Sequence, residues 1–161
     1  MKSIFKLVLS LSLTPVGLLG LQQSAMALTT INANICALTD SGPAMIRTTR
    51  GIENPSDFLR IVVCPIVRTA AAPAAGFSVW VDGSLVTPSP AHAGEGLFCA
   101  LDSYNYNGQL LGSTSLFTQT PGNFDRLLTL PQSQAPTFSH QALTCTMPAF
   151  ATLFDIEPTT P

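Results

Sequence analysis

The segment Phe77-Ser78-Val79-Trp80-Val81-Asp82-Gly83 shows the clearest alternation in the chain. Its apolar residues Phe77, Val79 and Val81 occur at every second position, and this period of two predicts a strand with one buried face. The Asp-Gly pair at the end of the segment predicts a tight turn. The segment therefore indicates a β-sheet protein in which Trp80 lies on the strand face opposite Phe77, Val79 and Val81.

Similar segments lie on both sides of this one, separated by clusters of Pro, Gly, Asn and Ser at spacings of about ten residues. They predict eight strands, over residues 44–50, 58–64, 77–82, 97–104, 109–117, 124–130, 138–147 and 150–157. The Asn-Gly pair at 107–108 predicts a tight hairpin, and Pro65 is expected to end its strand. No helix of any length is predicted. We therefore expect an all-β fold, an antiparallel β-sandwich resembling a jelly roll.

The core of this sandwich is expected to draw on apolar residues at alternate strand positions. They are Ile46, Leu59, Ile61, Val63, Phe77, Val79, Val81, Leu97, Leu110, Leu128, Leu130, Leu143 and Phe154.

The N-terminus has the pattern of a secretory signal peptide. Lys2 and Lys6 precede an apolar run over residues 7–21, and Ala25-Met26-Ala27 has the form of a cleavage site. The run is too short and too often interrupted for a comfortable membrane span of about 20 residues. We expect cleavage after Ala27, a single domain over residues 28–161 without a membrane span, and export to the periplasm or the medium.

The composition after residue 27 limits the classes of partner. Five arginines and nine acidic residues remain there, and no lysine. Nucleic-acid binding needs a basic patch, which this charge balance does not supply. A surface with little charge and many apolar residues is compatible with contact to other proteins, including copies of the chain itself.

Four cysteines, Cys36, Cys64, Cys99 and Cys145, indicate a disulfide framework in an exported chain. Three pairings are possible, and we favour Cys36–Cys64 with Cys99–Cys145. In the chain-entropy view each bridge stabilises the fold by about 3–4 kcal/mol. The alternative is that one pair remains as buried thiols. A zinc site is not indicated, because no C-x-x-C is present and neither histidine has ligand spacing from a cysteine.

Several short motifs occur in an order that resembles a group of uncharacterised bacterial exported proteins. The motifs are IVVCP at 61–65, VWVDG at 79–83, SYNYNG at 103–108, LTLP at 128–131 and LTCTMP at 143–148. The resemblance implies an exported β-rich domain with two cysteine pairs. It implies no activity, because the group carries none that can be transferred.

Polar residues give no clear catalytic or metal site. His92 and Glu95 form an H-x-x-E pair in the segment TPSPAHAGEG at 87–96, where we expect them to be solvated and loosely held. A catalytic triad would require His140 to meet a serine and a carboxylate such as Asp102 or Asp125. No G-x-S-x-G sequence is present, and one H-x-x-E pair falls short of the three or four ligands of a metal site. We therefore predict no catalytic residue, no metal ligand and no cofactor.

Three aromatic residues, Trp80, Tyr104 and Tyr106, are the candidate ligand-binding residues. Exposed Trp and Tyr on a β-sandwich can stack against sugar rings. The alternative is that Trp80 fills the core against a disulfide and that the two tyrosines stabilise a turn. The leading hypothesis is nevertheless a non-enzymatic exported protein that acts by protein–protein contact. A carbohydrate-binding module that uses these aromatic residues is the alternative, and a hydrolase that uses His92 or His140 comes third.

Overall fold

The computed structural model describes residues 30–66 and 76–159. The predicted signal peptide and nearly all of the alanine-rich connector at 69–76 lie outside the described residues. The described part contains eleven strands and no α-helix. They are β1 Ile31–Asn32, β2 Ala37–Leu38, β3 Ile46–Thr48, β4 Gly51–Glu53, β5 Arg60–Ile66, β6 Phe77–Leu85, β7 Leu97–Tyr104, β8 Leu110–Thr118, β9 Gly122–Leu130, β10 His140–Met147 and β11 Thr152–Thr159.

The strands form two antiparallel sheets that pack as a sandwich, which confirms the predicted fold class. The first sheet has the order β3-β4-β11-β6-β9, and β1 also pairs with β11. The second sheet has the order β2-β5-β10-β7-β8. Alternate side chains of both sheets fill the space between them, among them Phe77, Val79, Leu101, Leu143 and Ile156. Within the described ranges, no helix is long and apolar enough to cross a membrane.

Both favoured disulfides are present, Cys36–Cys64 and Cys99–Cys145. Cys99 and Cys145 lie directly opposite each other on β7 and β10. All four cysteines are buried in the core. The bridges are compatible with an exported protein, because disulfides persist in oxidising compartments.

Strand β5 buries the face opposite to the one expected. Val62 and Cys64 point into the core, whereas Ile61 is 40% exposed. A shift of one residue moves every side chain of a strand to its other face, and Cys64 has to point inward to reach Cys36. The same shift buries Arg60, whose guanidinium lies 2.5 Å from a carboxylate oxygen of Asp40.

Other members of the expected core also differ. Ile46, Leu59 and Leu110 are exposed, and Val63 and Phe154 are only partly buried. Seven are buried as expected: Phe77, Val79, Val81, Leu97, Leu128, Leu130 and Leu143. The errors lie where a strand is short, at a sheet edge or apolar on both faces, because alternation there does not say which face is covered.

The Asp82-Gly83 pair does not form the expected turn, because β6 continues through it to Leu85. A Cβ atom at Gly83 would overlap the carbonyl oxygen of Thr152 on β11 and the ring of Phe124 on β9. The glycine therefore permits a close approach between neighbouring strands and does not reverse the chain.

Pro65 does not end its strand either, because β5 runs to Ile66. The carbonyl oxygen of Ile61 accepts a hydrogen bond from Thr39 N on the β2 side. Residues two and four positions further along a strand direct their backbone groups to the same side, so the nitrogen of Pro65 faces that side too. Since β2 pairs only with Val62 and Val63, this edge is unpaired there and the missing N–H leaves no gap in the ladder.

Candidate functional site

Trp80 lies half-buried near the middle of the outer face of the first sheet. Its strand, β6, is flanked by β9 and β11, where the residues directly opposite Trp80 are Leu127 and Glu157. Side chains opposite each other on neighbouring strands lie on the same face within about 5.5 Å at Cβ. Because Leu127 is 46% exposed, this row offers an accessible apolar strip beside a carboxylate.

Acidic residues continue this surface along the strands. Asp82 on β6 lies directly opposite Asp125 on β9. Asp155 and Glu157 on β11 are close enough for their charges to act on Asp82. We call this surface the Trp80 face and define it by Trp80, Asp82, Asp125, Leu127, Asp155 and Glu157.

The electrostatics of the Trp80 face centre on Asp82. Partial burial raises the pKa of Asp82 to about 7, together with a hydrogen bond to Asp125 and the negative charges of Asp125, Glu157 and Asp155. A carboxyl group with this pKa is about half protonated at neutral pH. The pair can therefore both donate and accept a hydrogen bond at that pH, whereas an ionised carboxylate only accepts.

Strand β11 and the segment before β1 shape the border of the face. The register of β11 against β6 shifts between Leu153 and Ile156, as in a β-bulge. Bulges re-aim side chains, and Asp155 lies within this one. Thr30 Oγ1 donates a hydrogen bond of 3.1 Å to Glu157 Oε1, which fixes that carboxylate beside Trp80.

The two predicted tyrosines lie elsewhere, at the β7–β8 hairpin of the second sheet. The ring of Tyr104 stacks on His140, with centroids 5.6 Å apart and planes at 22°. Its hydroxyl donates a hydrogen bond of 3.4 Å to Asp102. Burial, the charge of Asp102 and this hydrogen bond raise the pKa of Tyr104. Tyr106 is 82% exposed at the hairpin tip.

The structure thus does not bring the three predicted ligand-binding residues together. The outer faces of two packed sheets point in opposite directions, so Trp80 and the pair Tyr104 and Tyr106 would meet different parts of a ligand or different ligands. That these residues contact a ligand stays a prediction, now for two separate surfaces.

The two histidines lie on separate elements, His92 on the 3₁₀ turn Pro90–His92 and His140 on β10. Asp125 belongs to the first sheet, so a triad of His140 and Asp125 does not form. Asp102 lies on the second sheet with His140, where it accepts a hydrogen bond from the Tyr104 hydroxyl. His92 and Glu95 differ from their expectation of being loosely held, because His92 Nδ1 lies 3.0 Å from Glu95 Oε1. The described residues contain no group of three metal-ligating side chains.

Phe98 and Phe117 form an exposed aromatic pair that was not among the residues predicted from the sequence. They lie directly opposite each other on β7 and β8 and are 43% and 57% exposed. The alternation of Phe98 with Leu97 and Cys99 is the signal that could have placed it on the outer face. The position of Asp125 and Glu157 beside Trp80 was not predicted either, because no local pattern links three strands so far apart in sequence.

Comparisons with known proteins give structural likenesses only. No family model matches the chain, and no curated protein matches it. A solved structure of TmCBM61 in complex with β-1,4-galactotriose has a TM-score of 0.41 and 10% identity, over 84% of this chain and 90% of that one. The enzymatically active domain of bacteriophage CBA120 tailspike protein 4 has a TM-score of 0.43 and 8% identity, over 83% of this chain and 18% of that one.

A third solved structure is the isomalto-dextranase of Arthrobacter globiformis T6 complexed with panose. It has a TM-score of 0.40 and 12% identity, over 81% of this chain and 23% of that one. The three include both a binding module and enzymes, so the absence of enzymatic activity in this chain stays a prediction.

The leading functional hypothesis from the sequence, a protein that acts by protein–protein contact, is corrected, because the structure removes its basis in the composition. The composition misled because the apolar residues behind that hypothesis largely fill the core of the sandwich. The likenesses concern only the arrangement of the strands.

Proposed function

We propose that the protein is an exported carbohydrate-binding domain and that the Trp80 face holds the sugar. The observation that carries this proposal is the position of Trp80 near the middle of an outer sheet face, with Leu127 on one side and Glu157 on the other. A sugar ring has an apolar C–H face and a rim of hydroxyl groups. It therefore matches an aromatic ring bordered by hydrogen-bonding groups.

In this arrangement the indole ring of Trp80 stacks against the C–H face of one ring, and Leu127 extends the apolar contact. The carboxylates of Glu157 and Asp155 accept hydrogen bonds from hydroxyl groups. The pair of Asp82 and Asp125 adds a group that donates as well as accepts. Four acidic residues disfavour an anionic sugar, so the proposed ligand is a neutral glycan.

The test is binding of the full chain to a glycan array, followed by calorimetry with the best neutral oligosaccharide. Trp80→Ala should lower the affinity at least tenfold, because it removes the stacking surface and about 1.4 kcal/mol already corresponds to a factor of ten. Since Trp80 is the single tryptophan of the chain, its fluorescence should also change when the sugar binds.

Phe117→Ala is the matched control, because Phe117 is an exposed aromatic residue on the opposite sheet. This variant should bind the oligosaccharide with the same affinity as the unchanged protein. Equal affinity of Trp80→Ala and the unchanged protein, with both folded, would contradict the proposal. So would the absence of binding to any glycan on the array.

A further inference from the structure

A cavity of about 280 Å³ opens at one end of the sandwich, away from the Trp80 face. Four loops build it: the segment before β5, the β6–β7 connection, the β8–β9 turn and the β10–β11 turn. It shares no residue with the Trp80 face. Its volume lies near the lower limit of about 300 Å³ for small-molecule sites, which suits one sugar ring and not a chain of several.

The polar side of the cavity is held in place by hydrogen bonds. The 3₁₀ turn Pro90–His92 begins with His92 N donating to Ser89 O at 2.9 Å, and Glu95 N donates to His92 O at 3.0 Å. The side chains of His92 and Glu95 then meet at 3.0 Å. Gln119 Nε2 donates to Gly94 O from the β8–β9 turn. The segment in which His92 and Glu95 were expected to be solvated and loosely held is therefore fixed by its own hydrogen bonds and by one from the β8–β9 turn.

One oxygen of this polar side has no partner. Glu95 Oε1 faces His92, but Glu95 Oε2 is buried and accepts no hydrogen bond from the described residues. A buried carboxylate oxygen without a donor is costly. Because Glu95 lines the cavity, the hydroxyl group of a ligand there is a candidate for that donor.

Several of the residues that line the cavity are apolar. Val86, Pro88, Pro148 and Phe150 line it. Phe150 has a φ of 58°, a left-handed conformation that a bulky residue rarely adopts. Strained backbone of this kind concentrates at binding sites, and here it sets an aromatic ring at the rim of a cavity.

We infer that this cavity binds a single neutral pyranose ring, such as the terminal residue of a glycan. Its ring face would lie against Phe150 and Pro88, and its hydroxyl groups would donate to Glu95 and Asp57. Among the described residues that line the cavity there is no Lys or Arg, which disfavours an anionic ligand. The inference rests on the proposed function only for the class of ligand, since the two sites are separate.

The chain contains three natural reporters that separate the sites: His92 at the cavity, His140 on the second sheet and Trp80 on the first. The experiment titrates the full chain with methyl galactoside, methyl glucoside and methyl mannoside to about 50 mM, far above a millimolar dissociation constant. Imidazole resonances are followed by NMR and indole fluorescence in parallel. A His140→Gln variant assigns the two imidazoles.

We expect at least one glycoside to shift the His92 resonances saturably and to leave those of His140 unchanged. Glu95→Gln should weaken this binding at least tenfold, and Glu53→Gln, a matched change outside the cavity, should not. Phe150→Gly should weaken it as well while keeping the protein folded, because glycine tolerates a φ of 58°.

No shift at His92 with any of the three glycosides overturns the inference, and so does unchanged binding by both cavity variants. If oligosaccharides change the Trp80 fluorescence while the His92 resonances do not shift, the proposed function stands and the cavity inference fails. If His92 responds while Trp80→Ala leaves glycan affinity unchanged, the cavity inference stands and the Trp80 face is not the site.

Discussion

At the scale of single residues, the pair of Asp82 and Asp125 is the feature with the clearest physical consequence. The two carboxyl groups lie directly opposite each other on β6 and β9, in a face with two further acids. Burial and these neighbours raise the pKa of Asp82 to about 7. One proton held between two carboxyl groups makes the Trp80 face sensitive to pH near neutrality.

The pair predicts that stability decreases as the pH rises from about 4 to 8. Below the ordinary pKa of 3.8, Asp82 is protonated in both the folded and the unfolded chain. Between that value and about 7 the folded chain binds more protons than the unfolded chain, so the free energy of unfolding falls with increasing pH. Asp82→Asn should flatten this decrease, as measured by urea unfolding across the pH range.

Asp102→Asn, a change of the same kind on the second sheet, should keep the pH dependence of the unchanged protein. The expectation is wrong if Asp82→Asn and the unchanged protein lose stability in parallel between pH 4 and 8. The same titration also bears on ligand binding, because the donor that Asp82 offers is lost above its pKa.

At the scale of elements, Gly83 and Gly108 were both predicted to lie in turns, and only one of them does. The hairpin predicted from Asn107-Gly108 is confirmed, and Gly108 has a φ of 76°. Asn105 Oδ1 stabilises the turn by accepting hydrogen bonds from the backbone nitrogens of Asn107 and Gln109, both 2.9 Å long. The Asp-Gly signal was wrong, because Gly83 lies inside a strand that is crowded on both sides. An Asp-Gly or Asn-Gly dipeptide indicates that the position requires a glycine. It does not indicate whether the reason is a turn or a close approach between strands.

These two glycines should respond differently to alanine. A Cβ at Gly108 has open space around it. Gly108→Ala should therefore lower the free energy of unfolding by only about 1 kcal/mol, because alanine is disfavoured in the left-handed backbone conformation. Gly83→Ala forces atoms of Thr152 and Phe124 to move, so it should lower the free energy of unfolding by about 3 kcal/mol or more. Urea unfolding of both variants measures the difference. If Gly108→Ala destabilises the protein more than Gly83→Ala does, the prediction is wrong, and the neighbours of Gly83 make room for a Cβ atom without strain.

At the scale of the whole molecule, Cys99–Cys145 joins two strands of the second sheet, and Cys36–Cys64 joins β5 of that sheet to the residue just before β2. The two bridges close loops with sequence separations of 46 and 28 residues, respectively. Both loops span segments that also contribute strands to the first sheet, so each bridge restricts the unfolded chain across the whole sandwich.

Removal of one bridge should therefore destabilise the entire fold. The double variant Cys99→Ala with Cys145→Ala should lower the free energy of unfolding by about 2–5 kcal/mol. Fluorescence of Trp80 in the first sheet and circular dichroism of both sheets should report the same urea midpoint. Two separate midpoints would contradict a single cooperative unit.

The sequence by itself determined what depends on neighbours along the chain. Period-two alternation gave most of the long strands and placed Trp80 on the face opposite Phe77, Val79 and Val81, and four cysteines in a chain with an export pattern indicated a disulfide framework with three possible pairings. Only the tertiary structure decided the face that β5 buries, the separation of Trp80 from Tyr104, the row of Trp80 with Glu157 and the contact of His92 with Glu95. The reason is that strand pairing joins residues far apart in the chain, such as Trp80 and Glu157, and no local pattern fixes which strands become neighbours.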